Sequence, residues 1–80
     1  MREKKPFLIL SFSSTTQAMA VEKFCGERQL PGRLIPVPKE ITAGCGLAWK
    51  AQPDQEETLT WALEEAGIRW QEKRVLDLWD

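Results

Sequence analysis

Apolar and polar positions along this chain fall into segments of different period. Residues 7 to 12 (FLILSF) are apolar on both alternating sets, as expected of a strand buried on both faces. Polar Ser13-Ser14-Thr15-Thr16 ends the run, and Ser14 with Gln17 three positions later forms a capping-box pattern. Ala18, Val21, Phe24 and Cys25 then recur at helical spacing, which predicts a helix over about 15–28 with Gly26 a weak point late in it. Leu30-Pro31-Gly32-Arg33 places Pro then Gly at the centre of a turn, the type II preference. The segment Leu34-Ile35-Pro36-Val37-Pro38 reads as an edge strand, because proline cannot donate a ladder hydrogen bond.

Residues 39–46 (KEITAGCG) read as a loop, and Leu47 to Lys50 as a short strand. Asp54 or a neighbour caps a second helix, with Glu57 in the box position and Glu56 near the positive helix end. Its buried stripe is Leu59, Ala62, Leu63 and Ala66, and Gly67 is the stop. A last strand lies within 68–78, best over Val75 to Leu78. The order β-α-β-β-α-β packs most simply as a ferredoxin-like α+β sandwich, with two helices on one face of a four-stranded antiparallel sheet. Right-handed crossovers bring the turn after strand one, the start of helix one and the loop between strands two and three to one end. Cys45 is therefore expected near Ser13–Thr16. The uncovered sheet face is expected to carry some of Trp49, Trp70 and Trp79 as an interaction patch.

Eighty residues make one domain, with 1–6 a flexible lead. Eleven Lys and Arg against twelve Asp and Glu leave a net charge of −1, unlike a dedicated nucleic-acid binder. The aromatic-rich signature of RNA-stacking sheets is absent as well. With no histidine, the Ser-His-Asp triad, the Cys-His dyad and histidine metal sites are excluded. Two cysteines are too few for a zinc knuckle or an iron–sulfur cluster, so no metal and no cofactor is expected. Residues 1–20 resemble a secretory leader, but Ser11 interrupts a six-residue apolar run that is too short for one. A reduced, cytoplasmic protein without a membrane span is the expectation.

Cys45 stands between Gly44 and Gly46 in the predicted loop. Glycine flanks open backbone conformations denied to other residues and leave the sulfur sterically open. The thiolate is the reactive form, and a neighbouring helix N-terminus favours it. Lys39 in the same loop and Ser14 at the helix start are further candidates for stabilising an anion. The competing reading is a tight turn with Cys45 as a small structural residue. Cys25 sits on the apolar stripe of helix one, where a free cysteine behaves as a buried hydrophobe. Ser14 also needs no ligand, since capping accounts for it. The carboxylates Glu56, Glu57, Glu64 and Glu65 ride the solvent side of helix two, so no general acid–base pair is visible.

The strand–SSTT–helix opening, Leu34 to Pro38, Ile41, Gly44-Cys45-Gly46-Leu47-Ala48 and Leu63-Glu64-Glu65-Ala66-Gly67-Ile68 together resemble the selenium/sulfur carrier-like family of small bacterial domains. The resemblance spans about residues 7–78 and is most specific from Pro36 to Leu47. It implies that Cys45, not Cys25, holds a sulfur or selenium atom as a persulfide or selenosulfide and passes it to a protein partner. Cys25 and the aromatic tail ending in Trp79 fall outside that pattern.

Two readings follow. In one, the chain is a thiol-based carrier or accessory protein without its own catalytic cycle. In the other, it is a non-enzymatic interaction or dimerisation module that uses the open sheet face, with Cys45 structural.

Overall fold

A computed structural model describes residues 3–41 and 44–79. Residues 1, 2 and 80, and residues 42 and 43 of the expected 39–46 loop, lie outside the described residues. The elements are β1 (Lys4–Ser11), α1 (Thr15–Arg28), β2 (Arg33–Pro36), β3 (Leu47–Ala51), α2 (Glu56–Glu65) and β4 (Glu72–Trp79). The four strands form one sheet in the order β2-β3-β1-β4, with every neighbouring pair antiparallel. This is the ferredoxin-like α+β arrangement read from the element order.

Strand β1 is central because its apolar residues serve both faces. Leu8, Leu10 and Phe12 are fully buried with Ala18, Val21 and Cys25 of α1 and Leu59 and Leu63 of α2, so both helices cover that side. Each of the buried leucine, valine and phenylalanine side chains contributes about 1.5–3 kcal/mol. The alternate residues Phe7 and Ile9 lie on the opposite side with Ala48 and Ile41. Strand β1 begins at Lys4, earlier than the apolar run, because β4 runs alongside it far enough to pair Trp79 with Lys4. Residues 4–6, expected in a flexible lead, are thus rungs of the ladder. Strand β4 itself starts at Glu72, four residues after the earliest expected position.

Helix α1 has the expected bounds. Its N-cap Ser14 accepts a hydrogen bond from the Gln17 N–H at 3.2 Å. The reciprocal bond differs slightly from the usual box: Gln17 Oε1 accepts from the Ser13 N–H and hydroxyl, at 3.0 and 3.1 Å. Gly26 does not end the helix; Gln29 does, in the left-handed region at φ 56°. Helix α2 departs from expectation at its start. A short 3₁₀ turn, Pro53–Gln55, leads into it, and the N-cap position falls to Gln55, the neighbour of Asp54, which makes no side-chain capping bond. Thr60 is buried and donates to the Glu56 carbonyl at 2.8 Å, whereas Ala66 of the expected stripe is exposed. Gly67 is the stop, at φ 72°. Its N–H bonds to the Glu64 carbonyl and that of Ile68 to the Leu63 carbonyl, which is the Schellman pattern.

The tryptophans do not lie on the face away from the helices. Trp49 is buried on the helix side, its indole N–H donating to the Pro31 carbonyl at 3.0 Å. That indole fills the space beneath the Pro31-Gly32 turn. A Cβ on Gly32 would fall onto the ring and 2.7 Å from the Lys50 carbonyl oxygen. Trp70 packs against the same core, Trp61 is exposed on α2, and Trp79 shares its sheet side with Leu8 and Leu10. The other sheet face is instead aliphatic, with Phe7 its aromatic. The segment after β2 folds over part of it, burying Ile41, and Arg74 of β4 donates to the Glu40 carbonyl at 2.9 Å. No helix among the described residues is long and apolar enough to cross a membrane.

Candidate functional site

The site is built where two connections meet at one end of the sheet. One is the turn leaving β1, Phe12 to Ser14; the other is the return into β3, Gly44 to Leu47. Antiparallel pairing of β3 with β1 sets Ser11 opposite Ala48, which carries the residues just before β3 to those just after β1. The Cys45 sulfur accordingly lies 3.4 Å from the Phe12 carbonyl oxygen. The neighbourhood expected from topology, Cys45 beside the β1–α1 turn, is the one observed.

Three backbone groups surround the sulfur. The Cys45 S–H can donate to the Phe12 carbonyl or, at 3.6 Å, to that of Leu47. The Leu47 N–H donates to the sulfur at 3.4 Å. Such contacts are weak individually, but together they orient the side chain against the backbone at the ends of β1 and β3. Cys45 is half-buried, touching the helix-side core on one side, while Gly44 and Gly46 are exposed and have no side chains to cover it.

The two glycines have separate physical reasons. Gly46 adopts φ 74°, in the left-handed region, and its carbonyl accepts from the Val37 N–H at 2.9 Å, anchoring the loop to the end of β2. Gly44 sits against the β1 turn, where an added Cβ would be 3.1 Å from the Ser13 carbonyl oxygen. Any side chain there would press the loop away from Phe12 and Ser13.

The remaining expected residues are placed less tightly. Ser14 is at the neighbouring helix start, with its hydroxyl engaged in the cap. Lys39 is exposed on the segment leading to the site. None of the hydrogen bonds or ion pairs among the described residues joins either to Cys45. Sequence reading missed Phe12 and Leu47 as site residues. Both act through the main chain, and no side-chain pattern could have flagged them.

Cys25 occupies a different environment. It is 1% exposed in the α1 core, and burial pushes its thiol up to about 11. Among the described residues no group of three or more His, Cys, Asp or Glu side chains is gathered as a metal ion would need.

The sequence model of the family described as "Putative Se/S carrier protein-like" matches residues 7–73. The match takes in β1 from Phe7 onward, both helices, the Cys45 loop and the first residues of β4. The chain belongs to this family. No curated protein and no solved structure matches it.

Proposed function

We propose that this member of the Se/S carrier-like family carries sulfur or selenium on Cys45, as a persulfide or a selenosulfide. The observation that carries the reading is the setting of that thiol. It is half-buried at one end of the sheet, flanked by two side-chain-free residues, and receives a main-chain N–H from Leu47. The family match adds the class of cargo. The second cysteine does not compete, because it is enclosed in the core.

The chemistry is an exchange at sulfur. The Cys45 thiolate attacks the terminal sulfur of a donor persulfide, R–S–SH. The donor's S–S bond breaks, R–S⁻ leaves, and Cys45–S–SH forms with no net oxidation. With R–S–SeH the same displacement at selenium gives Cys45–S–SeH. An acceptor thiolate on a protein partner reverses the step by attacking the terminal atom and releasing Cys45. Gly44 and Gly46 give both reactants access along the line of the bond being exchanged. The Leu47 N–H steadies negative charge at the sulfur, and Lys39 and Ser14 are the lesser candidates for that task. The step as written uses the Cys45 thiolate and the main chain beside it, as suits a carrier that serves another enzyme's reaction.

The test is to treat the reduced protein with glutathione persulfide and record its intact mass. Gain of one sulfur atom, lost in Cys45→Ala and kept in Cys25→Ala, is the expected result. Loading that follows Cys25, or none in the folded protein, overturns the proposal and leaves Cys45 as a structural turn residue.

A further inference from the structure

The two edges of the sheet are built differently. Strand β2 is four residues long and has prolines at 31, 36 and 38 within or beside it, the usual protection against further pairing. Strand β4 is eight residues long, contains neither proline nor glycine, and among the described residues pairs on one side only, with β1. Two of the exposed large hydrophobic side chains belong to it, Val75 at 50% and Trp79 at 54%. Both lie on the side of the helices, since Val75 is opposite Leu8 and Trp79 opposite Lys4. The helix layer therefore stops short of this edge. A strand edge of this length, exposed on the side away from β1, is a template for another strand.

We propose that β4 pairs antiparallel with β4 of a second copy, about a two-fold axis through Val75, joining two sheets into one of eight strands. Charge on β4 selects both the occupant and the register. With the axis at Val75, the two Val75 side chains meet, Lys73 faces Asp77 of the second copy, and Asp77 faces its Lys73. The pairing of opposite charges is made twice, on the same face as the exposed valines. On the other face Arg74 comes opposite Leu76, so no like charges oppose. Moving the axis to Arg74 sets two arginines against each other. Moving it to Leu76 sets Val75 against Asp77 and leaves Lys73 without an acid across the interface. Lys73 already binds Glu56 of its own chain at 2.8 Å, and an ammonium group with three donors can hold both carboxylates. Asp77 has no ion pair among the described residues. In this dimer the Cys45 loops fall at opposite ends of the joined sheet, so the proposal is independent of the carrier reading.

Sedimentation velocity over a concentration series on the full chain tests it, with two charge reversals chosen for the register. Asp77→Lys alone sets the native Lys73 against the introduced lysine at both symmetric positions. Lys73→Glu alone sets the introduced glutamate against the native Asp77, again twice. Each variant should dimerise about tenfold more weakly than the wild type or worse. An equimolar mixture restores both opposite-charge pairs and should recover the wild-type dimer. Val75→Lys, which sets two ammonium groups together on the axis, should be monomeric with an unchanged circular dichroism spectrum. The proposal is overturned if the wild type stays monomeric at every concentration. It is also overturned if the mixture associates no better than its components, or if Val75→Lys dimerises as the wild type does.

Discussion

Two cysteines twenty positions apart have opposite surroundings. Cys25 projects from the last turn of α1 into a core of leucine, valine and phenylalanine, where burial raises its thiol to about 11. Cys45 sits in a glycine-flanked return at the sheet end, touched by main-chain groups and partly open to solvent. The side chains are identical, so the difference is a property of the fold. A cysteine on a helical apolar stripe serves packing, whereas one on a glycine-flanked loop is left partly accessible.

The widest gap expected between them is in alkylation of the folded protein. At pH 8 only about one Cys25 in a thousand is ionised, given a value near 11, and its side chain is also enclosed. Iodoacetamide with mass-spectrometric mapping should label Cys45 and leave Cys25 unmodified until denaturant is added. Equal labelling would erase the distinction. Phe12→Ala should blur it from the side of stability. Phe12 is fully buried in the core that shelters Cys25, and its loss should cost about 3–5 kcal/mol. Urea titration should show that cost, and labelling of Cys25 should become measurable as unfolding becomes frequent.

Alkaline pH probes the same contrast with a defined sign. The folded thiol at about 11 lies above the ordinary value of 9.0, so between those pH values the unfolded chain has lost a proton that the folded chain keeps. Stability from this group is complete below pH 9 and falls as pH rises to 11, by about 3 kcal/mol in all. Cys25→Ala should remove that component of the decline. A smaller effect is expected at the loop. Gly46→Ala places a Cβ at φ 74° and should cost about 1 kcal/mol, with a changed rate of Cys45 alkylation. An unchanged rate would mean that the loop geometry does not govern access to the sulfur.

Much of this was legible in the chain. Helix α1 follows from the Ser14–Gln17 pair and the spacing of Ala18, Val21 and Cys25, all local signals. Gly67 ends α2 because its left-handed φ completes a Schellman turn. The position of Cys45 beside the β1–α1 turn follows from topology alone. What escaped depends on distant partners. Trp49 was not assignable to a face because Leu47 to Lys50 offers too few alternating positions. Its side is fixed by register with Leu10 and by the room left beneath Gly32. The extra length of β1 is imposed by β4, and the burial of Ile41 by a loop returning over the sheet. Within the site, the carbonyl of Phe12 and the amide of Leu47 belong to the main chain, which every residue has.

The most direct measurement is sulfur loading in paired single-cysteine proteins. Cys25→Ala and Cys45→Ala are each reduced, exposed to glutathione persulfide and weighed intact, then offered a thiol acceptor. The account predicts that Cys25→Ala gains one sulfur atom and gives it up to the acceptor, while Cys45→Ala gains none. Loading of Cys45→Ala, or a folded Cys25→Ala that takes up no sulfur, would contradict it.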